Sequence, residues 1–266
     1  MAEVKVRELR GVEELERVVA LQQAVWGFAD RDVVPAALLI AAQEEGALIA
    51  GAFAQGELIG FVFGFPTRDP AQQHSHMLGV LEPYRGTGAA LALKRFQRDW
   101  CLARGIARVV WTYDPLRGGN ANFNVRKLGV TVRRYLPDCY GALRGVNAGA
   151  PSDRFWAEWE LASPRVAARL SAPLPPADVR DVPFANRVDG DVPREAVLDL
   201  DAPRLLVRIP DDWGAILGRD PALALRWRLH AREVFGHYFA RGYRVTEFVP
   251  RPNAYVLERI PVGEGG

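Results

Sequence analysis

The chain is poor in cysteine and in lysine, and it contains no long apolar run. Two cysteines, Cys101 and Cys139, are too few for a disulfide framework or a structural zinc site. Lysine occurs only at Lys5, Lys94 and Lys127, so arginine carries most of the positive charge. That bias reads as coding composition rather than function. No stretch reaches the apolar length that spans a bilayer. The opening MAEVKVRELR lacks the apolar centre and small-residue cleavage site of a signal peptide. A cytoplasmic protein with no membrane partner is expected. An excess of one charge is also missing: Lys and Arg total 34 against 32 for Asp and Glu. The arginines are scattered among these acids, which argues against nucleic acid as a partner. What is present is the mix of a folded protein, 49% apolar and 25% charged. Its 266 residues suffice for one large domain or two small ones.

Punctuation by glycine and proline divides the chain. VKVREL (4–9) reads as a strand, and 12–26 carries Leu15, Val18, Val19, Gln22 and Trp26 at helical spacing. Pro35 opens a second helix. ALIAGAFA (47–54) and LIGFVFGFP (58–66) flank a tight turn, as in a hairpin. HSHMLGV (74–80) is a further strand, a helix follows over 88–104, and ARVVWTY (107–113) is a strand. A short helix spans 119–129, and strands are predicted over 130–136 and 154–161. The proline-rich stretch 162–193 suits a connector. Beyond it come predicted strands 197–200 and 204–210, a long helix 220–242, and strands 244–250 and 254–260. The helix-and-strand passage from Leu91 echoes the one from Leu223 in its LAL opening and ARG break. His230 and His237, seven apart on the long helix, read as structural.

The stretch EPYRGTGAAL (82–91) places Arg85 and two glycines between a strand and a helix. A helix start offers free backbone N–H groups at the positive end of its dipole. Glycines let the chain curl so that several N–H groups converge on one anion, and Arg85 adds a charge beside them. The loop reads as a phosphate cradle. It is not a Walker loop, because no Gly-Lys-Ser/Thr follows. It is not the dinucleotide fingerprint either, since Leu91 stands where a third glycine belongs.

Arg85-x-x-Gly88-x-Ala90 after a strand ending Leu-Gly-Val, with Pro83 and Tyr84 between, resembles the coenzyme A pyrophosphate loop of the GNAT acyltransferase superfamily. The order of elements through Leu161 is similar to that fold. SHMLGV, WTYDPL, NANFNVRKLG, RRYLPDCYGAL and PSDRFWAEWEL are similar to a branch with an extra C-terminal region. The resemblance implies an α+β fold with α/β/α layers and a mixed, mostly antiparallel sheet whose central strands splay. It implies a catalytic domain over 1–162; the proline-rich connector takes 163–193, and a smaller α+β lobe over 194–266 is, on the echo above, a candidate degenerate repeat. It also assigns residues. The backbone of Arg85, Gly86, Thr87, Gly88, Ala89 and Ala90 would hold the pyrophosphate. Leu78, Gly79 and Val80 would bond pantetheine, with the Val80 amide polarising the acyl carbonyl. Asn120 or Asn124 would flank the pantetheine arm.

Acyl transfer to an amine needs a base and an acid. His74 and His76 are two apart and share a strand face; His74 falls near where many superfamily members carry a catalytic glutamate. A structural role for either histidine is the alternative, and no third ligand supports a metal. Many superfamily members carry a thiolate-protonating tyrosine at the position held here by Val125. Tyr135 and Tyr140 are the nearby substitutes, with Cys139 between them read as a bystander. Trp26, placed in the loop region after the first helix, and Asp114, Asp153 and Arg154 are candidate liners of the acceptor pocket, an arginine suiting a carboxylate. The expectation is an N-acyltransferase moving an acetyl or other short acyl group from acyl-CoA to a small amine or amino acid, without metal, and compatible with a homodimer. A non-catalytic acyl-CoA-binding sensor or scaffold is the alternative.

Overall fold

The computed structural model describes residues 3–141, 150–172, 175 and 177–260. Contacts group them into two compact units: unit 1 ends at Trp111 and unit 2 begins at Thr112. The division therefore falls inside a strand, β5 (Arg108–Tyr113).

Unit 1 contains β1 (Val4–Glu8), α1 (Val12–Trp26), α2 (Ala36–Glu44), β2 (Leu48–Ala54), β3 (Glu57–Pro66), β4 (Gln72–Val80), α3 (Ala89–Leu102) and β5 up to Trp111. The strands lie in the order β1-β2-β3-β4-β5, antiparallel except for the parallel pair β4 and β5. Period-two alternation builds the layers. Leu48, Ala50, Ala52 and Ala54 of β2 join Ile59, Val62, Ala89 and Leu93 in one apolar cluster, on the α3 side. Ile49, Phe61 and Phe63 join Leu15, Val18, Leu21 and Leu39 in another, under α1 and α2. Buried large side chains such as these each contribute about 1.5–3 kcal/mol.

Unit 2 holds α4 (Gly118–Ala121), which continues as a π-helix over Asn122–Lys127, then β6 (Thr131–Leu136), β7 (Arg154–Glu160), α5 (Pro164–Ser171), β8 (Asn186–Asp189), β9 (Val192–Ala196), β10 (Arg204–Arg208), α6 (Trp213–Arg219), α7 (Pro221–Ala240), β11 (Tyr243–Pro250) and β12 (Asn253–Arg259). Its main strands run β7-β6-β11-β12-β10, every pair antiparallel. Phe155, Phe235, Phe239 and Tyr255 pack ring against ring between α7 and the strands.

Two expectations for the second half need correction, and one helix was not anticipated. The stretch 162–193 is not connector throughout: Ser163 caps α5, accepting the Val166 amide at 3.3 Å, with Pro164 at the first helical position. VLDL (197–200) lies outside any strand; the hairpin is β8–β9, upstream of it. The long helix is preceded by a separate one, α6, because Asp212 and Asp220 each cap a helix start, accepting amides of Ala215 and Leu223. The echoed passages also differ in topology. β4 and β5 are neighbours, whereas β10 and β11 both pair with β12 between them.

Candidate active site

Strand β4 organises the candidate site in unit 1. On the β3 side it is paired from Gln73 to Val80. On the β5 side its recorded pairs stop after Gln72–Arg108, Gln73–Val109 and His74–Val110. Past His74 the two strands diverge. The Leu81 amide donates to the Ile59 carbonyl at 2.9 Å. In an antiparallel ladder such contacts alternate, so Gly79 and Met77 also face β3. The peptide groups of Leu78 and Val80 then point the other way, toward the divergence. This is a row of strand hydrogen-bonding groups placed to accept an extended ligand as an added strand.

A bulge sits at His76: Phe63 opposes Met77 while Gly64 opposes Ser75. The two histidine rings still neighbour each other at 6.1 Å between centroids. His74 stacks on Phe65 at 5.0 Å, and His76 meets Phe63 edge-on. Burial lowers the His74 pKa to about 4, aided by His76, and lowers that of His76 as well. Both are therefore neutral near pH 7, the state in which an imidazole accepts a proton. Trp26 is the last residue of α1 rather than a loop residue. Its ring lies over Gly79, where an added Cβ would sit 3.0 Å from it.

Beyond Val80 one short turn over Glu82–Tyr84 leads to the glycine loop. Gly86 (φ +82°) and Gly88 (φ +97°) hold the left-handed conformation that side chains resist. Arg85 through Gly88 are exposed. The Arg85 and Thr87 amides close local turns onto the Glu82 and Tyr84 carbonyls at 3.1 and 3.4 Å. The first bond of the α3 ladder runs from the Ala92 amide to the Gly88 carbonyl at 2.9 Å. The amides of Ala89, Ala90 and Leu91 thus precede the ladder. The donor set suited to an anion therefore includes Ala89 and Ala90 of the expected span Arg85–Ala90 and extends one residue past it, to Leu91. These strand groups and helix-start amides fit what a pantetheine arm and a diphosphate require.

One feature of unit 1 was missed from sequence. Lys94 is buried, with Nζ 2.6 Å from Gln97 Oε1, 3.3 Å from Ser75 Oγ and 4.0 Å from the Trp111 ring centroid. Burial lowers its pKa to about 7. Lys94, Gln97 and Cys101 recur at spacings of three and four on α3, the one signal that marked this polar stripe. Cys101 is itself buried, its pKa raised to about 12, so it is no nucleophile.

The remaining candidates lie in unit 2. Asn120 is exposed and Asn124 buried. Val125 is fully buried in the π-helical segment, where the Leu128 amide reaches the Phe123 carbonyl at 3.0 Å. The Tyr135 hydroxyl donates to Asp153 Oδ2 at 2.7 Å, and burial beside that carboxylate raises its pKa well above the usual tyrosine value. Such a hydroxyl is a weak proton donor. Tyr140 is exposed and shares a 2.6 Å bond with Thr112. Asp153 also accepts Arg232 at 2.7 and 3.0 Å. Asp114 accepts both terminal nitrogens of Arg228 at 2.8 and 2.9 Å. Both carboxylates are therefore engaged within the protein; neither is free for an acceptor. Among the described residues no group of three His, Cys, Asp or Glu side chains is placed to hold a metal, and no helix is long and apolar enough to cross a membrane.

Residues 14–129 match the acetyltransferase (GNAT) family model. Solved structures share the fold. The ribosomal-protein-S18-alanine N-acetyltransferase from Escherichia coli is 14% identical, with a TM-score of 0.50 over 60% of this chain and 96% of its own. An aminoglycoside 6'-acetyltransferase type Ii is 17% identical, with a TM-score of 0.50 over 60% of this chain and 98% of its own. No curated protein matches in sequence. The family's activity is acyl transfer from coenzyme A thioesters, and that is the activity its model implies here. The matched stretch contains β4, the glycine loop and α3, the elements whose geometry suits such a carrier, and over residues 14–129 the chain is similar to the GNAT acetyltransferase family.

Proposed function

We propose that this protein is an N-acyltransferase that moves an acetyl or other short acyl group, succinyl included, from acyl-CoA to the amine of a small molecule or amino acid by direct transfer. One observation carries the reading: the outward peptide groups of Leu78 and Val80 run directly into the glycine-curled start of α3. Bound acyl-CoA supplies the activated carbonyl. The amides from Gly88 to Leu91 hold the diphosphate, with Gly86 and Thr87 shaping the curl and Arg85 adding charge at its exposed rim. Leu78 bonds the pantetheine, and the Val80 N–H polarises the acyl oxygen. Trp26 against Gly79 forms a wall beside the acyl group.

His74 and His76 take the proton of the incoming ammonium, directly or through one water. The departing thiolate takes its proton from water. Calorimetry should give saturable heat with CoA and acetyl-CoA. A thiol-release screen of several acyl-CoAs against pooled amines should then show turnover. His74→Ala or His76→Ala should lower it by roughly 10²–10⁴ while CoA binding persists. No heat on folded protein overturns the reading. Binding without any thiol release would identify the sensor or scaffold instead, a reading favoured only by the buried Val125.

A further inference from the structure

Asp153 and Arg154 are adjacent in sequence but differ in their surroundings. The Asp153 carboxylate accepts Tyr135, Arg232 and the Asp138 amide. The Asp114 carboxylate accepts Arg228 through both oxygens, with the Leu116 amide and Trp213 Nε1 completing its shell. Among the described residues Arg154 has no carboxylate partner of this kind. Its side chain is buried, the residue 8% exposed. Among the described residues its single hydrogen bond runs from Nη1 to the Asp153 carbonyl at 2.9 Å. Its guanidinium lies 5.6 Å from the Tyr140 ring centroid. Among the described residues no carboxylate stands within ion-pair distance of it, and the stretch 142–149 contains no Asp or Glu. The charges that act on it most are Asp114, already matched by Arg228, and Arg228 itself, which is repulsive. Burial lowers the Arg154 pKa.

A guanidinium carries five donors in a rigid fork that matches a carboxylate. Here only Nη1 of that fork has a hydrogen-bond partner among the described residues. A buried cation without a counter-charge destabilises a fold, and replacement by a neutral side chain often relieves the cost. An arginine in this position therefore needs a reason outside the protein's own packing.

The geometry points to Arg154 as the anchor of a carboxylate subsite in unit 2, roofed by the exposed Tyr140 ring with its Thr112-bonded hydroxyl. The carboxylate belongs either to the amine acceptor, as in an amino acid, or to a dicarboxylic acyl group such as succinyl. This assignment of substrate class rests on the acyltransferase reading. The binding itself does not.

The test uses the full chain, its Arg154→Gln and Arg154→Lys variants, and two probes. N-acetylglycine carries the carboxylate; N-acetylglycinamide replaces it with a neutral amide. N-acetylglycine should raise the melting temperature of the native protein, and the amide should not. Arg154→Gln should melt no lower than the native protein in the absence of probe and should not respond to either. Arg154→Lys keeps the charge, loses the fork and should respond weakly. It serves as the test should the glutamine variant fail to fold. In steady state, Arg154→Gln should raise the KM of an anionic substrate on the order of 10–100-fold, leaving neutral counterparts unchanged. Glycine against glycinamide with acetyl-CoA, and succinyl-CoA against acetyl-CoA with a neutral amine, identify which substrate bears the carboxylate. No shift with N-acetylglycine, or a lower melting temperature in Arg154→Gln with the probe response intact, overturns the subsite. Silent calorimetry with CoA alongside a retained N-acetylglycine shift would instead remove the acyltransferase reading and leave the subsite standing.

Discussion

At the scale of single residues, burial sets which protonation state each group presents. His74 is held neutral with a pKa near 4 against an ordinary value of 6.5. Between those values the unfolded chain binds the extra proton and the folded chain does not. Stability therefore rises with pH from about 4 to 6.5, and is lost as pH falls through that window. Urea unfolding of His74→Phe should show a flatter acid limb than the native protein. Activity should report the same number: kcat/KM should hold down to about pH 5, where an ordinary histidine base would already be protonated. Lys94 works in another window. Its pKa is lowered to about 7 from 10.5, so between those limits the unfolded chain holds a proton that the folded chain has lost, and stability should climb with pH. Lys94→Met should reduce the stability difference between pH 7 and pH 10, while leaving Gln97 Oε1 and Ser75 Oγ without their shared donor.

At the scale of elements, backbone conformation decides what can be changed. An alanine at Gly88 meets no neighbour within 4 Å, yet φ +97° opposes it. Gly88→Ala should cost about 1–2 kcal/mol in denaturant unfolding and weaken CoA binding by calorimetry, because the first turn of α3 must shift. Ser163→Ala should lower stability by about 1 kcal/mol through loss of the α5 cap. The same contrast explains what was legible in the sequence. The β2–β3 hairpin, the glycine loop and α3 are written locally, in alternation, turn residues and helical spacing. The start of α5 was also written, in Ser163-Pro164, but lay within a proline-rich run that masked it. The bulge at His76 was not legible, since a bulge depends on the partner strand. Nor were the partners of Asp114 and Asp153, which lie 114 and 79 residues away on α7. A charged residue read by itself offers a ligand; beside its partner it is already bound. Arg154 is the exception, and only the structure separates it from its neighbour.

At the scale of the molecule, the family-like stretch and the compact units do not share a boundary. The family match ends at residue 129, while unit 2 runs from Thr112 through α7 and β12. Within unit 2, Phe155 packs on Phe235 and Tyr255, and the Tyr255 hydroxyl donates to the Pro115 carbonyl at 2.9 Å. A fragment ending at residue 162 would keep Phe155 and Asp114 and lose all of these contacts. It should be insoluble, or lack sharp near-ultraviolet circular dichroism and a cooperative melt. A soluble, cooperatively melting fragment would show that the last hundred residues are an accessory. The ion pair joining Asp114 to Arg228 also bears on synthesis. A ribosome adds roughly 5–20 residues per second. Asp114 therefore emerges on the order of ten seconds before its counter-charge is made, and the nascent chain must shield that acid in water until the long helix arrives.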